Sequence, residues 1–275
     1  MFTRHAVPTL ALLSLILSAS LVFASTESTN IIGGTTVAGN DPDGASTVAI
    51  VIQLQKGQAI CTGSLLAADI LVTAAHCVTG EDGKLVTPKQ LTLVFAGNIR
   101  DTSRILAKAT GVKRHSGYNP NAGGNDQNDI AVIGFGGGLP KGYKVATLLP
   151  SATPIPNGSP AVLIGFGVDT MKAGGSGAGI LRKVTVSVAD GRFARTEVLL
   201  DQRNGKGACH GDSGGPAFAQ IDGKLQLWGV TNRGNPDNAP DDCAHFSVYT
   251  RITAQRSFIN SASKAIRQPA AFAAR

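Results

Sequence analysis

An all-β fold closed by one C-terminal helix is predicted by three features of the sequence. Gly is abundant, 34 of 275 residues, with 13 Pro dispersed among them, as expected of a chain that turns often. The apolar residues gather into short runs rich in Val, Ile, Thr and Leu, each bounded by Gly, Asn or Pro. Helical spacing occurs in one place, 256–267, where Phe258, Ile259 and Ile266 fall on one face. With 43% hydrophobic and 16% charged residues the chain is globular and long enough for a substantial core. Its length suits one large domain or two small ones.

The β-type segments come in two sets. The first is "STVAIVIQLQ" (46–55), "KQLTLVFAGN" (89–98), "ILAKATGVKRH" (105–115) and "DIAVIGF" (129–135). The second is "AVLIGFG" (161–167), "LRKVTVSV" (181–188), "TEVLLD" (196–201), "PAFAQI" (216–221), "KLQLWGVTN" (224–232) and "FSVYTRI" (246–252). Between them lies a Gly- and Pro-rich stretch without alternation, which predicts a crossing between two units over 136–160. "GGSGAG" (174–179) reads as a mobile surface loop.

Residues 1–24 have the form of a secretory signal peptide: Arg4 and His5, the apolar run 10–24, and Val22 two positions before the small residue Ala24. The run is too short for the ~20 residues a bilayer core demands, so no membrane anchor is expected. Export implies an oxidising compartment, where four Cys without a CxxC pair read as two disulfides rather than metal ligands. No metal or cofactor is expected. The net charge of +7 is spread along the chain, in Lys56, Lys84, Lys113, Arg114, Arg182 and Lys183 among others. A nucleic-acid protein would cluster such residues with aromatics, so nucleic acid is not an expected partner.

The chemistry resides in three distant stretches. "GACHGDSGGP" (207–216) sets Ser213 among glycines, "VTAAHC" (72–77) presents His76 at the end of an apolar strand, and "NDIAVI" (128–133) carries Asp129 from a polar loop into one. Serine is a weak nucleophile that needs a base held by a third group, and these three side chains could supply one. In order and spacing, "IIGG" (31–34), "CTGSLL" (61–66), "TAAHC" (73–77), "HSGYNP" (115–120), "NDIAV" (128–132), "CHGDSGGP" (209–216) and "VYTRI" (248–252) resemble the chymotrypsin-like serine proteases. Any one string is unremarkable; the ordered set, spanning 31 to about 262, is specific.

The resemblance implies two packed six-stranded antiparallel β-barrels with the active site in the cleft between them. It makes Ser213 the nucleophile, His76 the general base and then acid, and Asp129 the group that orients His76. Backbone N–H groups of Gly211 and Ser213 would form the oxyanion hole. Cleavage after Asn30 would free an α-ammonium on Ile31 to pair with Asp212, so the chain would be a zymogen: signal 1–24, propeptide 25–30, protease domain 31–265, tail 266–275. Asn30 is not a site for a trypsin-like activator. The disulfides implied are Cys61–Cys77 and Cys209–Cys243.

Members that cleave after Lys or Arg have Asp six residues before the serine; here that residue is Gly207. With Gly234 and Ser247 as pocket walls, the lining is small and uncharged, which favours an apolar residue before the scissile bond. His210 and Arg233 add positive charge at the rim and could instead favour an acidic one. Asn232 and Arg233 stand where the family usually has Ser and Trp. The remaining polar residues read as ordinary: His115, His210 and His245 as structural, Asp126 as a turn residue, "EDGK" (81–84) as a solvated turn, and Asn157 as a glycosylation sequon compromised by the nearby Pro160. The expected protein is a secreted, monomeric serine endopeptidase acting on proteins or peptides, with protein inhibitors as further partners. The rival reading is a non-catalytic homologue that uses the same scaffold to bind a partner protein.

Overall fold

The computed structural model describes residues 31–38, 41–120, 126–170, 176–235 and 243–268. The expected signal peptide, propeptide and tail after 268 lie outside them.

Thirteen strands are present among the described residues. Those of the first unit are β2 (Thr47–Gln53), β3 (Gln58–Ala67), β4 (Ile70–Thr73), β5 (Leu91–Phe95), β6 (Ile105–Arg114) and β7 (Ala131–Phe135), preceded by the short β1 (Thr35–Thr36). The second unit holds β8 (Pro160–Gly165), β9 (Arg182–Asp190), β10 (Glu197–Asp201), β11 (Pro216–Ile221), β12 (Lys224–Asn235) and β13 (Phe246–Arg251). Helix α1 (Arg256–Arg267) follows, coinciding with the predicted helical segment.

Both units close on themselves. The first is a barrel in the order β2-β3-β4-β7-β6-β5. In the second, the order β9-β10-β13-β12-β11-β8 is closed by pairing of β8 with β9, and β1 hangs on the outer edge of β9. All ladders are antiparallel, and closure removes most of the exposed edges that a sheet would otherwise present. The fold class is therefore two packed six-stranded antiparallel barrels with one terminal helix. β3 was not among the segments marked out by alternation: its "CTGSLL" stretch carries polar residues that are nonetheless buried, Thr62 and Ser64.

Val48, Ile50, Leu65, Leu71, Leu93 and Ile133 fill the first core. In the second, β9 alternates cleanly, with Val184, Val186 and Val188 inward against Trp228 and Tyr249. Phe166, Phe218 and Val230 of the second unit belong to the same buried cluster as the first core, so the barrels share an apolar seam. Helix α1 buries Ile259 and Ala262, and a fork from Arg267 to Asp69 at 2.5 and 2.8 Å ties its last turn to the first barrel.

Of the predicted mobile loop, 174 and 175 fall outside the described residues, and the rest is tied down. Asp169 donates its N–H to Ser176 at 2.9 Å, Gly179 donates to Phe166 at 2.7 Å, and Ile99 donates to Gly179 at 2.8 Å.

Candidate active site

Strand β4 ends at Thr73, and the chain turns into a single 3-10 turn, His76–Val78, that projects His76 from the rim of the first barrel. Asp129 precedes β7, which pairs directly with β4, so the two residues emerge at adjoining strand ends. The Asp129 carboxylate is 1% exposed and grips His76 twice: Oδ2 lies 2.7 Å from Nδ1, and Oδ1 accepts the His76 backbone N–H at 2.8 Å. Burial opposes a charged imidazole, but the charge and hydrogen bond of Asp129 outweigh it and raise the His76 pKa above its ordinary value. The ring remains one-third exposed, open to a reactant.

Ser213 arrives from the second barrel, three residues before β11. Its loop is held against the first barrel by Thr62 of β3, whose N–H donates to Ser213 O at 2.8 Å and whose hydroxyl donates to Gly211 O at 2.9 Å. Gly214 has φ +79°, and a Cβ there would collide with Thr73 Oγ1 and Thr62 O, so only Gly permits this approach. Cys77 Sγ lies 3.5 Å from Ser213 O, which brings the serine loop up to the residue beside His76. No hydrogen bond joins Ser213 Oγ to the imidazole among the described residues. Catalytic contacts commonly tighten only when substrate is bound.

Gly211 (φ +98°) turns the backbone so that neither its own N–H nor that of Ser213 finds an acceptor among the described residues. Two neighbouring amides without acceptors are uncommon where most backbone donors are paired. Unpaired amides of this kind can receive an anionic oxygen.

Asp212 between them is 2% exposed and accepts N–H bonds from Gly167 at 2.8 Å and Cys209 at 3.0 Å. Burial pushes its pKa up to about 7, against the lowering effect of those two amides and of the Arg182 charge. Ile31 is itself buried, 1% exposed, within the second core. In the intact chain its nitrogen is an amide bonded to Asn30, and no hydrogen bond joins it to Asp212 among the described residues.

Next to Ser213 opens a cavity of about 190 Å³ lined by Ala208, Cys209, Ser213, Gly234, Cys243 and Ser247, with His210 and Arg233 among the polar groups of its lining. Gly234 and Ser247 are among its lining residues. Gly207 does not line it: a Cβ there would run into the amide of Gln202, a residue that sequence reasoning passed over. Gln202 is 1% exposed, donates from Nε2 to Ala208 O at 3.1 Å and to Cys243 O at 2.8 Å, and accepts from Ala208 N at 2.8 Å. A neutral amide thus ties two walls of the cavity together. Nothing in "LLDQRN" signals this.

The disulfides are Cys61–Cys77 and Cys209–Cys243. Each cluster of His and Cys, one around His76 and one around His210, has its sulfurs spent in these bonds. A cysteine binds zinc only as its thiolate, and a lone histidine is left in each cluster, so neither fits a metal. Asp126 has a left-handed backbone (φ +66°), and its carboxylate accepts from Thr196 N and Oγ1. His115 is structural, its ring edge-on to Phe258 at 4.9 Å.

Known proteins resemble this chain over most of its length. The trypsin family model matches residues 31–259. The chain is 31% identical over 189 residues to Serine protease SP24D of Anopheles gambiae, covering 66% of this chain and just under two thirds, 65%, of that protein. It is 30% identical over 236 residues to Trypsin alpha of Drosophila melanogaster, covering 78% and 82% of the two chains. Trypsin of Sarcophaga bullata is 28% identical over 219 residues, covering 74% and 79%. A pair of closed barrels with a histidine, a carboxylate and a serine at their shared rim defines the class of trypsin-fold proteins. This chain belongs to the trypsin family of serine proteases.

Proposed function

We propose that the chain is a secreted zymogen which, once cut after Asn30, hydrolyses peptide bonds through an acyl-enzyme. Ser213 Oγ attacks the carbonyl carbon; its proton passes to His76 Nε2. Asp129 keeps Nδ1 protonated and stabilises the resulting imidazolium. The oxyanion is received by the N–H groups of Gly211 and Ser213, an interaction whose loss of one donor typically costs about 10²–10³ in turnover. The imidazolium then returns its proton to the leaving amine, and water repeats the sequence to release the acid.

The observation that carries this reading is the pair of acceptor-free amides at Gly211 and Ser213, beside a histidine fixed on both its ring and its backbone by a buried carboxylate. A binding module has no use for that combination. Activation acts through Asp212: a buried carboxylate without a cation is costly, and an α-ammonium on Ile31 would allow it to ionise and set the loop around Gly211. The four cysteines paired in two disulfides suit an oxidising, extracellular setting.

A substrate strand has a place to lie. Pairing of β12 with β11 stops at Val230, leaving one edge of residues 232–235 open beside Ser213. An extended peptide can add to such an edge and drop one side chain into the neutral cavity, which suits an apolar residue before the scissile bond. Labelling of the processed protein by a fluorophosphonate, abolished in Ser213→Ala, is the expected result. Absence of labelling after correct processing would favour the non-catalytic homologue. Cleavage of a peptide library after Lys or Arg would overturn the reading of the pocket.

A further inference from the structure

Glu197 opens β10 and is completely buried, yet it takes four hydrogen bonds from three residues. Arg233 grips it as a fork, Nη1 to Oε1 at 3.2 Å and Nη2 to Oε2 at 2.8 Å. Oε1 also accepts Asn232 Nδ2 at 3.3 Å and the Gln127 N–H at 2.9 Å. The carboxylate therefore joins the open segment of β12 to the chain two residues before Asp129.

Arg233 is oriented by this fork rather than by its own long, flexible stem. Its side chain is one-quarter exposed, and it contributes to the lining of the cavity at Ser213. Of its five donors, the fork uses two, and the other three have no partner among the described residues. The ion pair is thus a dipole with its negative end sealed in protein and its positive end toward the cleft. Among the described residues no acidic side chain lines the cavity, and His210 does. The nearby Asp126 carboxylate is committed to Thr196 and lies 3.7 Å from Arg195.

We infer that Arg233, preset by the buried Glu197, is a specificity-determining residue that selects substrates with an acidic side chain a few residues before the scissile bond. A carboxylate meeting its unspent donors forms charge-assisted hydrogen bonds, about twice as strong as those of an amide of the same shape. Glu197 is a positioning residue: it touches no substrate and acts through Arg233. This rests on the proteolytic reading of Ser213, but the recognition and the chemistry are separable by experiment.

The test uses peptides matched except for Glu or Gln at the second, third or fourth position before the cut. Their kcat/KM is measured on the processed protein, and the Kd of the corresponding product peptides by fluorescence anisotropy. A Glu-over-Gln ratio of about tenfold is expected at one position in both measurements. Arg233→Gln should bring that ratio to within about twofold, Arg233→Lys should retain part of it, and Glu197→Gln should lower it by loosening Arg233. A purely structural Glu197 would slow both peptides alike and leave the ratio untouched. Equal treatment of Glu and Gln by the unaltered protein, or a ratio that survives Arg233→Gln, overturns the assignment. If no peptide is cut but the Kd ratio is present and depends on Arg233, the subsite stands and the proteolytic reading falls.

Discussion

Both carboxylate oxygens of Asp129 are committed to a single residue: Oδ2 meets the His76 ring at 2.7 Å and Oδ1 the His76 backbone N–H at 2.8 Å. The histidine is held in tautomer and in place at once. Asp129→Asn should preserve the fold but lower kcat by about 10⁴, because an amide can present its NH₂ to Nδ1 and leave the wrong ring nitrogen protonated. The raised His76 pKa sets the acid limb of kcat/KM. That limb should lie above about 6.5, since the base must lose its proton to act. A limb well below that value in the unaltered protein would remove Asp129 from this role.

Asp212 predicts an inverse dependence of stability on pH in the unprocessed chain. Its pKa in the folded state is about 7 because of burial. A group raised above its unfolded value contributes stability below that value, and the contribution is lost as pH rises through the folded one. The intact chain, studied as Ser213→Ala, should lose on the order of 4 kcal/mol from this group between about pH 4 and 7. His76, also raised, acts in the same direction. Asp212→Asn should flatten most of the slope in a Tm series, and processing after Asn30 should flatten it too by supplying a cation. A slope indifferent to both changes would refute the account of Asp212.

Gly207→Asp is the substitution that would restore an acid at the position where Lys- and Arg-cleaving members carry one. It should fail to create that specificity. Its Cβ would displace the Gln202 amide, and with it the three hydrogen bonds that Gln202 makes to Ala208 and Cys243. The expected result is a loss of about 2–4 kcal/mol in denaturant unfolding, with no gain in hydrolysis of Lys or Arg peptides. Efficient cleavage after Lys by this variant would show that Gln202 yields easily.

The two disulfides brace different parts of the site. Cys61–Cys77 spans 16 residues and Cys209–Cys243 spans 34, so replacing either pair with Ser should cost about 3–4 kcal/mol. Their kinetic signatures should differ. Loss of Cys61–Cys77 frees the turn carrying His76 and should lower kcat, whereas loss of Cys209–Cys243 opens the cavity walls and should chiefly raise KM. Identical kinetic effects would refute this division.

Much of this was already visible in the chain. The alternation of β9, the exact span of α1 and the order of His76, Asp129 and Ser213 are local or motif properties, written into residues a few positions apart. Buried polar residues were harder to see. Thr62, Gln202 and Glu197 read as surface residues by type, and each is at most 1% exposed, satisfied by partners from distant segments.

Composition and periodicity by themselves determined an all-β chain with one terminal helix, and the ordered motifs determined its resemblance to a two-barrel protease family and three candidate side chains, because those features depend on neighbours along the chain and on strand and helix period. Only the tertiary structure decided what surrounds them: that a neutral amide sits where a charged floor is usual, and that a buried acid aims Arg233 at the cleft. Those choices depend on which remote residues meet when the barrels close, and spacing in sequence carries no information about such meetings.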